Sequence, residues 1–135
     1  VIGGSSAGAT IQGEYLVRGH PLGNQVMMAE GYERGFAFLP RVAIDQHFSQ
    51  RDRFADLATV IKRYPKWVGV GIDEGTALVV QGTTAQVMGD ASVHFLTDKM
   101  LKAAASRETK EALDNQLLYL QVKPGESIDL KTLAD

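Results

Sequence analysis

The stretch "VAIDQHFSQRDRFADLATVIKRYPKWVGVGID", residues 42–73, decides how this chain is read. It opens with the apolar run Val42, Ala43, Ile44, short enough and branched enough for a buried strand. Phe54, Leu57, Ala58 and Ile61 then recur at i, i+3, i+4 and i+7, the spacing of one helix face, and Pro65 stops the pattern. Ser49-x-x-Asp52 ahead of it resembles a capping box with Asp in place of Glu or Gln. "WVGVGID", residues 67–73, reads as a second strand whose glycines admit close approach of another backbone or a substrate. Strand, helix, strand in this order predicts a βαβ unit.

Outward from this unit the pattern changes. On the C-terminal side, "TALVVQG", "TTAQVMGD" and "SVHFLTD" are three short strands bounded by turn residues, expected to pair antiparallel. A helix is expected over residues 98–114, and "LLYLQVKPGESIDL" as one last strand with a Pro-Gly turn. On the N-terminal side, residues 18–40 are Gly-rich with Pro21 and Pro40 and read mostly as loop. Val1 and Ile2 read as the end of a buried strand, and residues 6–15 as a small-residue helix packed on a sheet. The whole predicts an α/β domain with a mixed, largely parallel sheet flanked by helices. At 135 residues, without internal repeat or linker, the chain is expected to form one domain.

Composition narrows the function classes. The chain is 44% apolar and 22% charged, as ordinary globular proteins are. A net charge of -2 with no Lys/Arg run argues against nucleic acid and anionic membranes as partners. No apolar stretch approaches the roughly 20 residues of a membrane span. Zero cysteines exclude disulfides, thiolate metal sites and a Cys nucleophile, and leave the compartment open, with the cytoplasm favoured.

"GGSSAGA", residues 3–9, holds Gly4-Ser5-Ser6-Ala7-Gly8, a GxSxG pattern between an apolar stretch and a small-residue helix. Two readings stand, an ordinary Gly/Ser turn or a strand-to-helix elbow that exposes Ser6 as a nucleophile. In the elbow reading the helix start places backbone N–H groups near a developing oxyanion.

A serine nucleophile needs a base, and the base an orienting group. His20 lies in a Gly/Pro loop and His94 in a late strand, and both read as solvated or packed without a catalytic role. His47 follows the first strand directly, at the end where parallel α/β sheets bind ligands, amid Asp45, Gln46, Arg51 and Arg53. Two arginines at a helix start oppose its dipole, which points to a bound carboxylate or to pairing with Asp52 and Asp56. For the third group "GIDEGT" offers Asp73 or Glu74. Adjacent strand residues face opposite sides, so one of the two is expected at the site. No HExxH occurs and the histidines are scattered, so neither a metal nor another cofactor is expected.

Together "GGSSAGA", "DQHFSQRDR" and "GIDEGTALVV" closely resemble the serine peptidase family that includes cyanophycinase and the alpha-aspartyl dipeptidases, over about residues 1–97. The resemblance implies Ser6 as nucleophile, His47 as base and Glu74 as acid, with the backbone N–H of Ala7 as an oxyanion donor. It also implies substrate contacts from Asp45, Gln46, Arg51 and Arg53. The order Ser, His, Glu differs from that of α/β-hydrolases, where the acid precedes the histidine. A glutamine-amidotransferase-like sheet is implied, with N-terminal strands and a Gly-rich oxyanion loop ahead of the elbow. The chain is therefore expected to be the C-terminal part of a larger hydrolytic domain, completed by that N-terminal half or by a partner chain. The substrates implied are aspartate-bearing peptides cut at bonds of the beta-Asp-Arg kind, and dimers are implied too. One departure stands out: Asp56 occupies a position where such sequences carry a third arginine, which is expected to weaken or redirect recognition. The alternatives are an aspartyl dipeptidase or other exopeptidase of the same family, and a non-catalytic binding relative.

Overall fold

The computed structural model describes residues 1–105 and 118–135. Its elements run α1 (Ala7–Thr10), β1 (Gly13–Tyr15), β2 (Leu39–Gln46), α2 (Phe54–Arg63), β3 (Val68–Ile72), β4 (Thr76–Gln81), β5 (Thr84–Gly89), β6 (Val93–Leu96), α3 (Asp98–Ala105), β7 (Leu120–Val122), β8 (Ser127–Asp129) and α4 (Leu130–Ala134). The main sheet has the order β1-β2-β3-β6-β7, with two parallel pairings and then two antiparallel ones. A second, antiparallel sheet has the order β4-β5-β8. The architecture is α/β, with a mixed main sheet flanked by helices.

Strand periodicity explains the layers. Val42 and Ile44 of β2 and Val68 and Val70 of β3 point to one face, where they pack with Val87, Phe95 and Val122 toward the second sheet. Ala43 points to the other face, into a core with Leu57, Ala58, Val60 and Ile61 of α2. Leu57, Val60 and Ile61 are fully buried, and each such side chain contributes about 1.5–3 kcal/mol against exposure. Between β2 and β3 the chain crosses over through α2, so both strands end at the same margin of the sheet. That margin positions the site.

Several elements differ from expectation. Val1 and Ile2 are exposed and lie outside any strand, having no ladder partner among the described residues. The helix expected over residues 6–15 is a single turn, because residues 13–15 pair with β2 instead. Helix α2 begins at Phe54 with Arg53 as its N-cap and no side-chain cap. Ser49 is drawn away from capping by Asp73, to which it donates both its backbone N–H (2.9 Å) and its hydroxyl (2.7 Å). The three strands predicted at 76–98 are present but divide between sheets: β4 and β5 form a hairpin, and β6 joins the main sheet beside β3. The single strand expected over 117–130 is two, β7 and β8, because the turn at Pro124 and Gly125 carries the chain from one sheet to the other. The helix expected over residues 98–114 is described to Ala105, and its remainder lies outside the described residues. Among the described residues no helix is long and apolar enough to cross a membrane.

Candidate active site

Ser6 stands at the turn into α1 with φ 54° and ψ −123°. A non-glycine residue held there stores on the order of 1–3 kcal/mol, and surrounding bonds must hold it. They do: the Ser6 carbonyl accepts from Ala9 N (3.0 Å) and Thr10 N (3.2 Å), and Ser5 O accepts from Gly8 N (2.8 Å). Gly4 passes so close to the Gly8 carbonyl that a Cβ at residue 4 would collide with it. Tight packing of this turn leaves the Ser6 side chain exposed at its tip. Ala7 opens α1, and first-turn N–H groups have no acceptor within their own helix.

His47 immediately follows β2 with φ 48°. Simple alternation along β2 would send it to the α2 face with Ala43 and Asp45. The left-handed residue breaks that alternation. Its imidazole lines the cleft, while the next side chain, Phe48, is fully buried in the α2 core. Phe48 fits there because residue 71 is glycine; a Cβ at that position would run into its ring. The imidazole Nε2 lies 3.2 Å from Ser6 Oγ, and Nδ1 lies 2.9 Å from Glu74 Oε1. Glu74 follows the end of β3, and its backbone N–H is held by Gln50 Oε1 at 2.9 Å. A neutral imidazole donating from Nδ1 to Glu74 leaves Nε2 free to accept the Ser6 hydroxyl proton. General-base catalysis at a serine needs that arrangement. Asp73 points to the other side, as strand alternation requires, and is buried with Ser49, Ser92 and His94.

The other candidate residues separate by depth. Gln46 lines the cleft, and its Oε1 is buried without a hydrogen-bond partner. Arg51 is exposed in the turn before α2. Asp45 and Arg53 lie beneath the margin, 0% and 5% exposed, joined by Arg53 Nη1 to Asp45 Oδ1 at 3.2 Å. Arg53 also donates to the Gln46 carbonyl at 2.8 Å. Burial lowers the Arg53 pKa, opposed by the Asp45 charge and reinforced by Arg18 and Arg51. Asp56 pairs with Arg18 at 2.8 Å rather than with Arg53. Arg18 is a residue the sequence did not single out. It comes from a Gly-rich loop with no periodicity to betray a buried cation, yet it holds both Asp45 and Asp56.

The cleft has a volume of about 1110 Å³. One wall is the segment from Val1 to Ser6, the floor is Ile44, Gln46, His47, Ile72 and Glu74, and the far wall is β4. The trough has apolar walls with polar groups gathered at the margin, as ligand clefts do.

Comparison with known proteins gives the family. The sequence model of peptidase family S51 matches residues 1–88. The chain is 37% identical over 125 residues to a cyanophycinase of Geminocystis herdmanii, covering 88% of this chain and 46% of that protein. It is 37% identical over 99 residues to a cyanophycinase of Synechococcus elongatus (69% and 30% covered). It is 35% identical over 98 residues to one of Trichormus variabilis (68% and 32%). The chain thus spans less than half the length of these relatives. With the family match extending from the elbow past Glu74 to the second strand of the β4–β5 hairpin, the chain belongs to peptidase family S51.

Proposed function

We propose that the protein hydrolyses peptide bonds by a Ser-His-Glu mechanism. The observation that carries this reading is the line Ser6 Oγ, His47 Nε2, His47 Nδ1, Glu74 Oε1, with steps of 3.2 and 2.9 Å across the ring. Ser6 attacks the scissile carbonyl as His47 takes its proton, and Glu74 orients the imidazole and stabilises its cation. The backbone N–H of Ala7 donates to the oxyanion. His47 then returns the proton to the leaving amine, and the acyl-enzyme is cleared by water that His47 deprotonates.

The resemblance to the cyanophycinase family, with relatives that carry that name, supports a substrate of aspartyl peptides, cut at bonds of the beta-Asp-Arg kind. In this reading Gln46, which lines the cleft, lies beside the substrate and Arg51 meets an anionic group from the rim. Asp45 and Arg53, bonded to one another, shape the margin from below.

The test is covalent labelling of the intact protein with a serine-directed fluorophosphonate. Labelling at Ser6, abolished in Ser6→Ala, is the expected result; a folded protein that takes up no label refutes the mechanism. Hydrolysis of free beta-Asp-Arg dipeptides and of longer aspartyl peptides, measured side by side, decides the substrate.

A further inference from the structure

Asp73 is a buried carboxylate that the hydrolytic steps leave unused. It is 6% exposed, and both its oxygens are fully engaged. Oδ1 accepts from Ser49 N (2.9 Å) and Ser49 Oγ (2.7 Å). Oδ2 accepts from Ser92 N (3.2 Å) and lies 3.1 Å from His94 Nε2. Burying a carboxylate is costly unless several donors meet it, and a packed apolar side chain would stabilise a strand end at least as well. The choice of a charge therefore calls for a reason beyond stability, and its neighbours supply one.

Ser49 is two residues beyond His47, and Asp73 is the residue before Glu74. The tie runs in both directions, since Gln50 Oε1 takes the backbone N–H of Glu74 at 2.9 Å. His94, the fourth donor, packs against Phe48 at 5.5 Å between ring centroids, and Phe48 is the neighbour of His47 that seats on Gly71. Ser49 thus ties Asp73 to the segment that carries the base, His94 reaches that segment through Phe48, and Ser92 anchors Asp73 to the start of β6.

We propose that Asp73 is a positioning residue that fastens the turn bearing His47 to the strand end bearing Glu74, so that imidazole and carboxylate stay in register. This rests on the hydrolase reading above. Reacting groups displaced by about 1 Å lose roughly a hundredfold in rate, which is the scale on which such a fastening acts.

The experiment compares the intact wild type with Asp73→Asn, Ser49→Ala and the double variant. Inactivation by a fluorophosphonate is followed over reagent concentration, and the His47 Nδ1 proton is followed by NMR. Asp73→Asn is expected to lower the maximal inactivation rate constant about 10- to 100-fold, with the half-saturating reagent concentration unchanged. The fraction of molecules finally labelled stays at the wild-type value, and the His47 Nδ1 resonance shifts. Ser49→Ala changes both readouts in the same direction by less, and the double variant is no slower than Asp73→Asn, because both remove one shared tie.

A purely structural role would lower the labelled fraction and leave the rate constant of the labelled molecules alone; that result overturns the proposal. So does a wild-type rate constant in Asp73→Asn. Should Asp73→Asn fail to fold, Ser49→Ala decides by the same two readouts. Absence of labelling in the wild type refutes the hydrolase reading instead, and the His47 proton then judges the fastening by itself.

Discussion

Arg18 Nη2 lies 2.8 Å from Asp56 Oδ2 while Arg18 Nε lies 3.0 Å from Asp45 Oδ1, so one guanidinium joins the loop after β1 to both β2 and α2. Burial lowers the Arg18 pKa, but Asp45 and then Asp56 more than offset this and hold it raised. Asp45 is fully buried and shared with Arg53, whereas the Asp56 side chain is 49% exposed. Asp45→Ala, which leaves buried Arg53 without its carboxylate and Arg18 with Asp56 alone, is expected to cost about 3–5 kcal/mol. Asp56→Ala is expected to cost less than about 1 kcal/mol, since that pair is half in solvent. Urea denaturation of the two variants checks the contrast.

The strain at Ser6 is recoverable. Glycine at φ 54° carries no side-chain penalty, so Ser6→Gly is expected to stabilise the fold by about 1 kcal/mol while abolishing covalent labelling. A thermal midpoint that rises as reactivity vanishes is the expected pairing, measured on one sample by calorimetry and label uptake.

His47→Asn keeps a residue type that tolerates the left-handed backbone at φ 48° but removes the base. Labelling of Ser6 is expected to slow by about 10²- to 10⁴-fold, with the thermal midpoint nearly unchanged. Mass spectrometry of the labelled tryptic peptide over time gives the rate.

Gly71→Ala drives a methyl into the Phe48 ring. Overpacking of this kind costs about 1–3 kcal/mol. Because Phe48 adjoins His47, the inactivation rate constant at Ser6 is expected to fall as well, which separates this variant from an ordinary core mutation. Denaturation and labelling kinetics together test both effects.

Acid should loosen the margin through Asp73. Burial raises its pKa, but the side-chain and backbone hydrogen bonds of Ser49, then His94, outweigh this and hold the carboxyl below its usual value. A carboxyl lowered in the folded state stabilises fully above its unfolded pKa of about 3.9, and the contribution is lost as pH falls through the lower native value. Asp73→Asn is therefore expected to be less stable near neutrality and to show a shallower loss of stability on acidification, read from urea midpoints between neutral and acid pH.

Much of the βαβ unit was legible because periodicity writes it directly. Strand β2, the apolar face of α2 and the Gly-spaced β3 all follow from the side chains that must be buried. What escaped had a non-local cause. The Ser49-x-x-Asp52 pattern satisfies a capping rule, yet Ser49 bonds Asp73, 24 residues away, and no local rule weighs that competition. Arg53 at the start of α2 looked like a cation in need of an anion, and so it was, but the anion is Asp45 of its own chain. Strand alternation allowed one of Asp73 and Glu74 at the site, and it was the family resemblance that pointed to Glu74. The left-handed turn at His47, which carries the imidazole to the face where Glu74 stands, has no signature in composition. Nor did anything local divide the late strands between two sheets, since hairpin signals describe neighbours along the chain rather than layers.

That division has an evolutionary consequence. The imidazole and its carboxylate hang from neighbouring parallel strands of the main sheet, while the far wall of the trough belongs to the β4–β5 hairpin, whose ladder bonds all lie in the other sheet. Outward-facing side chains of that hairpin, such as Val79, are free to diversify and retune what the trough admits. Substitutions there can reshape the far wall of the trough without touching the ladder that holds His47 and Glu74.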